Sequence, residues 1–265
     1  MAQRLQHVAS DGVSLAVEVL GKGPPLLFAH GLGSCRHHVK QLLEPLTARF
    51  RLIVFDQRGH CGSTPISEPE LFAPRRLAAD IAAILDHLGI EQANIVGESM
   101  GAATTLLFSS LHPERVLRLV QIAPTVVDRP NPGREMILAL ADFAAEHGLA
   151  ATADAVALAA MTNGLPRKAA QLVTARWTDH QLESFVAAHR AVPEWVIFDS
   201  LAQVAALPMP IGIFAWGNDP TRPISQARRL ATAARRGRLE TLDSLAELAD
   251  DPSLYSRAIE RLLEG

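Results

Sequence analysis

A serine flanked by small residues is the strongest chemical signal in this sequence of 265 residues. Residues 97–101 read Gly-Glu-Ser-Met-Gly, directly after an apolar run at 93–96 and directly before an alanine-rich stretch. A G-x-S-x-G sequence at a strand-to-helix turn holds its serine on a sharp turn, with a helix N-terminus behind it that favours developing negative charge. The pattern predicts that Ser99 is a nucleophile or a hydrogen-bond donor to substrate.

A second glycine-containing loop, His-Gly-Leu-Gly at residues 30–33, follows another apolar run. In acyl-transfer enzymes a loop at this place supplies one backbone N–H of the oxyanion hole, and the residue after the serine supplies the other. We therefore expect the amides of Leu32 and Met100 to stabilise an oxyanion. The residues expected to line the substrate site are His30, Gly31, Gly33 and Trp216.

The elements that must position these residues follow an alternating pattern. Continuous apolar runs at 25–29, 52–55, 93–96 and 116–122 end abruptly at polar residues or glycine, which is typical of strands buried on both faces of a parallel sheet. Helical patterns stand between them. The clearest has apolar residues at Leu77, Ile81, Ile84, Leu85 and Leu88 and closes at Gly89. Strand and helix alternation predicts an α/β fold with a doubly wound, mostly parallel sheet.

The strand signal is absent between Pro124 and Pro208, where alanine-rich helical segments at 136–147 and 179–192 replace it. It resumes at 210–216 and 238–242, and a helix is expected around 224–234. A hairpin is expected at residues 5–20, and a last helix at the C-terminal end. The predicted organisation is a core domain at 1–127 and 207–265, with a helical cap at 128–206.

The composition limits the class of protein. Hydrophobic residues make up 48% and charged residues 20% of the chain, which excludes a disordered chain, a collagen-like chain and a disulfide scaffold. The net charge of −3, with no basic block, argues against a nucleic-acid partner. A small-molecule ligand is the expected partner, and a homodimer is compatible with the sequence.

The N-terminal sequence lacks the apolar core of a signal peptide, and no stretch approaches the length of a membrane span. We therefore expect a cytoplasmic protein without a membrane partner. Cys35 and Cys61 form neither a CxxC pair nor a metal-spaced cluster, so they are interpreted as small packing residues. No metal and no cofactor are expected.

Together with Asp-Gln-Arg-Gly-His at residues 56–60, these motifs make the sequence resemble the α/β-hydrolase superfamily. The resemblance is to its small capped members, which include enol-lactonases, C–C bond hydrolases, haloperoxidase-like esterases and epoxide hydrolases, and it runs from about Leu5 to Leu263. It implies an eight-stranded sheet, a cap inserted after the sixth strand, and a Ser, Asp, His triad in that chain order.

The resemblance places the triad acid at Asp219, with Asp128 as an alternative, but it finds no histidine for the base. The loop at 241–252 contains none, and all ten histidines lie at or before His189. The family position falls on Leu245 or Glu247, and we favour Glu247. Losing the histidine of a serine triad can cost on the order of 10⁶ in turnover, so the base is the main question that the sequence raises.

Several answers stay open. Glu247, with a reference pKa of about 4.3, suits proton shuttling beside Asp219 better than serine activation. A histidine from elsewhere could act instead; the candidates are His37, His38, His180 and His189. The sequence thus predicts a cofactor-free enzyme for a small, mostly apolar ester, lactone or carbonyl compound, with Ser99, Asp219 and Glu247 as catalytic residues. The alternatives are a non-hydrolytic lyase, cyclase or isomerase, or an inactive ligand-binding module.

Overall fold

An eight-stranded sheet forms the centre of the computed structural model, which describes residues 5–125, 127–174, 176–219 and 221–264. The strand order is β1-β2-β4-β3-β5-β6-β7-β8. β2 is antiparallel to both of its neighbours, and the remaining pairs are parallel. The strands are β1 (Gln6–Ser10), β2 (Val13–Leu20), β3 (Pro25–Ala29), β4 (Arg51–Phe55), β5 (Ala93–Glu98), β6 (Val116–Ile122), β7 (Ile211–Trp216) and β8 (Gly237–Leu242).

The continuous apolar runs form strands because both faces of the sheet are covered. Along β3, Leu26 and Phe28 belong to the apolar cluster on one face, while Leu27 and Ala29 belong to the cluster on the other. Successive side chains of a strand point to opposite faces, so a strand between two helical layers must be apolar at every position. The predicted mostly parallel, eight-stranded α/β sheet is confirmed.

Helices flank the sheet on both faces. Pro74–His87 carries the predicted apolar stripe, of which Leu77, Ile81, Ile84 and Leu85 are buried. The helices are α1 (Arg36–Leu43), α2 (Pro74–His87), α3 (Met100–Leu111), α4 (Arg134–Thr162), α5 (Arg167–Thr174), α6 (Leu182–Ala191), α7 (Ala202–Ala205), α8 (Ile224–Ala233), α9 (Leu245–Asp250) and α10 (Ser253–Glu264).

The segment between β6 and β7 is helical in the described residues and forms the cap, with α4 to α7 and a 3-10 turn at Trp177–Asp179. The sequence predicted a helix ending at residue 147, whereas α4 continues to Thr162. Gly148, with φ of 80°, joins two helical segments through a kink, so the glycine bends the helix instead of ending it. The expected helix at 179–192 begins only at Leu182.

By length and hydropathy α4 alone, among the described residues, passes the test for a membrane-crossing helix. The kink at Gly148 divides it into residues 134–147 and 149–162. Each part falls short of the roughly 20 residues that a span requires. The length of α4 is therefore weak evidence for a membrane segment.

Candidate active site

Ser99 lies on a strained turn between β5 and α3. Its φ of 52° and ψ of −109° fall in a region that non-glycine residues rarely adopt. The glycines on either side make the turn possible: a Cβ at Gly97 would lie 2.3 Å from the carbonyl oxygen of Gly101, and a Cβ at Gly101 would lie 2.1 Å from that of Ala29. The turn therefore needs glycine at both positions, and it presents Ser99 at the carboxyl edge of the sheet.

The loop after β3 brings its backbone to Ser99. A Cβ added at Gly31 would lie 3.5 Å from the Ser99 Cβ, which is an ordinary van der Waals distance, so the loop passes close to the serine. Neither the Leu32 amide nor the Met100 amide donates a backbone hydrogen bond within the described residues. Met100 is the first residue of α3, where helical N–H groups lack intrahelical partners. The two amides predicted for the oxyanion hole are thus available beside the serine.

The His30 side chain fixes the loop after β3 through two hydrogen bonds. Its Nε2 accepts a hydrogen bond from the Gln57 amide (3.0 Å), and its Nδ1 donates to the Gly31 carbonyl (2.8 Å). Burial lowers the pKa of His30, so the imidazole is neutral. The side chain is fully buried and does not line the pocket at Ser99. His30 was predicted to line the substrate site, but its contacts are those of a loop-positioning residue.

A pocket of about 160 Å³ opens over Ser99 between the sheet and the cap. Trp216 and Leu42 line its core side, and Trp177 lines its cap side. Of the residues predicted for the site, Gly31, Leu32, Gly33, Ser99 and Trp216 line this pocket. The Met100 side chain is buried away from it, although the Met100 amide begins α3 beside Ser99.

Asp219 follows β7, where the family pattern expects an acid, but its carboxylate is already paired with Arg222. Oδ1 accepts hydrogen bonds from the Thr221 amide, the Thr221 hydroxyl and the Arg222 amide at 2.9–3.0 Å. Oδ2 accepts from Nε and Nη2 of Arg222 at 2.9 and 2.8 Å. Burial would raise the pKa of Asp219, but the Arg222 charge and the donors of Thr221 and Arg222 lower it overall. Asp219 is therefore an ionised carboxylate paired with Arg222.

Glu247 is engaged in capping α9. Its Oε1 accepts hydrogen bonds from the amides of Asp243 (2.7 Å) and Ser244 (3.1 Å), and the Ser244 side chain completes a capping box. The two residues that face the pocket from this helix are Leu245 and Leu248. Of the two places proposed for the missing histidine, the structure thus puts Leu245 in the pocket and Glu247 outside it.

The alternative bases and the alternative acid also lie away from Ser99. None of the histidines among the described residues lines the pocket. His180 and His189 are buried, and each bonds through Nδ1 to a backbone carbonyl of its own segment. His37 pairs with Asp179. Asp128 binds Arg229, with Oδ2 2.6 Å from Nη2, and this hydrogen bond lowers the pKa of Asp128.

The pocket holds three charged groups that the sequence analysis missed. Glu98 lines it next to Ser99 and accepts a hydrogen bond from the Tyr255 hydroxyl at 3.0 Å. Burial and the nearby Glu98 raise the pKa of Tyr255 well above its usual value, so this hydroxyl remains a donor. Arg176 and Arg222 are the cations of the pocket. The x position of G-x-S-x-G was the available signal for Glu98, whereas no local pattern marked the arginines.

A strained serine turn, two available amides and the strand order of the sheet together match one family. The model of the α/β-hydrolase fold matches residues 24–240. The chain belongs to the α/β-hydrolase family. In this member of the family Ser99 stands on the turn between β5 and α3, and Leu245 lines the pocket whereas Glu247 does not.

Relatives of this α/β-hydrolase include lactone and epoxide hydrolases. It is 25% identical to 3-oxoadipate enol-lactonase 2 of Acinetobacter baylyi, over 97% of this chain and 96% of that protein. It is 31% identical to Epoxide hydrolase 2 of Siraitia grosvenorii over 46% of this chain, but the match spans only 39% of that protein's length.

Among solved structures, the enol-lactonase from Burkholderia xenovorans superposes with a TM-score of 0.83 at 21% identity, covering 98% of this chain and all of that one. At this identity the likeness shows the fold alone.

Proposed function

We propose that this α/β-hydrolase acts on the carbonyl group of a small ester or lactone that carries a carboxylate. The observation that supports the proposal is Arg176, which lines the same small pocket as Ser99. Its Nη1 donates to the Ser34 hydroxyl at 3.0 Å, and no carboxylate of the described residues forms an ion pair with it. A half-buried guanidinium without a counter-ion favours an anionic ligand.

Arg222 supports the same assignment. Its Nε and Nη2 are bound to Asp219, which leaves Nη1 for a ligand. The guanidinium stands over the Trp216 ring, 5.7 Å from the ring centroid, and the indole thereby orients it. In the proposed complex the substrate carboxylate lies between Arg176 and Arg222, and the substrate carbonyl oxygen accepts from the Leu32 and Met100 amides.

Ser99 is the proposed nucleophile, and Glu98 takes the place of the base that the sequence analysis assigned to Glu247. Glu98 lines the pocket beside Ser99, whereas the Glu247 oxygen is held by two backbone amides. A carboxylate is a weaker base than imidazole, so we expect slow turnover compared with a complete triad. The Acinetobacter relative is an enol-lactonase, which is consistent with a lactone substrate for this chain.

The test compares two p-nitrophenyl esters, a hemisuccinate that carries a carboxylate and a neutral butyrate. We expect a preference for the hemisuccinate, and a decrease in its kcat/KM of about 10–100-fold in Arg176→Gln, the size expected for one charge-assisted hydrogen bond. Arg129→Gln removes an arginine outside the pocket and is the matched control. Ser99→Ala should abolish turnover and labelling by a fluorophosphonate. Equal rates on both esters, unaffected by Arg176→Gln, would overturn the substrate assignment.

A second candidate is a non-hydrolytic proton transfer, because a carboxylate, that of Glu98, lines the pocket with Ser99 and no imidazole of the described residues does. Such a pair can remove a proton from the carbon next to a carbonyl while the amides stabilise the enolate. It predicts deuterium exchange at that carbon of a small keto acid in D₂O, lost in Glu98→Gln and without fluorophosphonate labelling of Ser99. A keto acid that raises the Tm yet exchanges no deuterium would indicate binding alone.

A further inference from the structure

The two cysteines of the chain meet beside the oxyanion loop, although 25 residues separate them in sequence. Cys35 directly precedes α1, and Cys61 lies in the loop after β4. The two sulfur atoms lie within 4.8 Å of each other. A thiolate is the form of cysteine that binds metal ions.

Three further donors surround Cys35. The ligand atoms of Cys35, His37, His38 and Asp179 all lie within 4.8 Å of one another. Cys35, His37 and His38 come from the start of α1, while Asp179 comes from the 3-10 turn of the cap. One thiolate, two imidazoles and one carboxylate are a donor set that Zn²⁺ accepts in tetrahedral sites.

The separations between the donors fit that geometry. With a Zn–S distance of about 2.3 Å and Zn–N and Zn–O distances of about 2.1 Å, the edges of a tetrahedron are about 3.6 Å for sulfur to nitrogen and about 3.4 Å for nitrogen to oxygen. Cys35 Sγ lies 3.3 Å from His37 Nδ1 and 3.5 Å from His37 Nε2, and His37 Nε2 lies 3.1 Å from Asp179 Oδ2. The sulfur–nitrogen and nitrogen–oxygen separations are therefore close to the edges of a tetrahedral site, and rotation of the His37 ring would aim one nitrogen at the ion.

His38 supplies an independent observation. Its Nδ1 is buried and has no hydrogen-bond partner within the part of the chain that the structure describes. A buried imidazole nitrogen without a partner is costly unless something binds it. A metal ion coordinated by Cys35 would satisfy this nitrogen.

From this cluster we propose that Cys35, His37, His38 and Asp179 form a binding site for a divalent transition-metal ion, with Zn²⁺ as the preferred ion. The neighbouring group of Cys35, Asp56 and Cys61 is a poorer candidate, because the Asp56 carboxylate is already bound by the Arg36 amide (2.7 Å), the Arg36 guanidinium and the Gly62 amide (2.9 Å). Cys61 lies beside the metal-binding sulfur but is not part of the proposed donor set.

The site would join the cap to the core. Asp179 ends the turn that begins with Trp177, and an added Cβ at Gly33 would lie 2.9 Å from the Trp177 indole nitrogen. Metal binding would therefore hold Trp177 against the oxyanion loop and fix the cap-side wall of the pocket. Because the ion binds the folded chain, it should also stabilise the fold.

The test is titration of the reduced, full-length protein with Zn²⁺ by calorimetry, and with Co²⁺ by absorption. We expect one Zn²⁺ per chain, a rise in Tm, and a cobalt–thiolate charge-transfer band. Cys35→Ser should remove the band, and His38→Gln and Asp179→Asn should each weaken Zn²⁺ binding by at least about tenfold, since even outer partners of metal ligands contribute 10–100-fold. Serine is well suited to the start of a helix, so Cys35→Ser should fold.

Two controls make the result decisive. His112→Gln removes an exposed histidine beside Glu114, and Cys61→Ser removes the other thiol. Both should leave the stoichiometry and the cobalt band unchanged. Binding that persists in Cys35→Ser, that is lost in Cys61→Ser, or that is lost in His112→Gln would overturn the assignment.

Discussion

Placing a histidine at Leu245 or at Glu247 tests which of the two residues stands at the position of the triad histidine. Leu245 faces the pocket and Glu247 does not, so Leu245→His should increase hydrolysis of p-nitrophenyl butyrate and Glu247→His should not. The gain is limited because Asp219 is paired with Arg222. In subtilisin, loss of the histidine lowers kcat about 2 × 10⁶-fold and loss of the aspartate lowers it about 3 × 10⁴-fold. A histidine that has no free aspartate beside it should therefore increase kcat by at most about 10²-fold.

Steady-state rates of the two variants, with Leu245→Asn as the polar control for the same position, check this prediction. Adding Arg222→Gln to Leu245→His should increase the gain, because it releases the Asp219 carboxylate. A gain in Glu247→His alone would contradict the placement of Leu245 at the position of the family histidine.

At the scale of single residues, the sequence predicted what depends on local pattern. The Ser99 turn needs only its own strand, helix and flanking glycines, so five consecutive residues were sufficient. The capping role of Glu247 was also present in the sequence as Ser244-x-x-Glu247, although the family resemblance favoured a catalytic role for it. Arg176 and Cys35 reach their partners through the tertiary fold, and no local spacing encodes those contacts.

At the scale of elements, the capping box predicts a structural effect of Glu247. Glu247→Ala removes the acceptor for the amides of Asp243 and Ser244, and should cost about 1 kcal/mol of unfolding free energy, or roughly 2–4 °C in Tm. Glu247→Gln retains an acceptor oxygen and should stay close to the wild type. Thermal unfolding of both variants, together with their ester hydrolysis, provides the check. If Glu247→Ala and Glu247→Gln differed in ester hydrolysis at equal folded fraction, Glu247 would have a catalytic role in addition to capping.

The junction of β5 and α3 predicts a second effect. Gly101→Ala places a Cβ 2.1 Å from the Ala29 carbonyl oxygen, a backbone atom that cannot move aside cheaply. Overpacking of this kind costs typically about 1–3 kcal/mol, so we expect a Tm lower by at least about 2 °C and loss of Ser99 labelling. Gly31→Ala, whose Cβ would meet its neighbours at 3.5 Å, is the control for stability. Equal melting temperatures would contradict the steric role of Gly101.

The strands were predictable and the cap was less so, for a physical reason. Strands covered on both faces must be apolar throughout, so residues 116–122 predicted β6 with its bounds unchanged. Helix α4 is mostly exposed, and buried residues are sparse along its length. Its sequence therefore carries little periodicity, and Gly148 resembles a helix end although the chain continues as helix beyond it.

For the whole molecule, the informative feature is a row of buried imidazoles behind the active-site loops. His30 packs edge-on against His60 at 5.0 Å between ring centroids, and His60 against His180 at 5.3 Å. His189 stacks on Phe185 at 3.8 Å and donates from Nδ1 to the Phe185 carbonyl at 2.7 Å. Burial lowers the pKa of each of these histidines. Protonation of any of them opposes the packing of cap on core.

His189 gives this effect a measurable size, because burial lowers its pKa from 6.5 to about 3. Between these values the unfolded chain binds the extra proton, so stability rises with pH across that window and is lost as the pH falls below about 6.5. From pH 7 to pH 5 this group should remove about 2 kcal/mol of unfolding free energy.

His189→Gln can keep the hydrogen bond to Phe185 and should flatten the pH profile by that amount, whereas His87→Gln, at an exposed end of α2, should keep the wild-type profile. Urea unfolding at pH 7 and pH 5 measures the difference, and an unchanged profile in His189→Gln would mean that other groups cause the acid sensitivity.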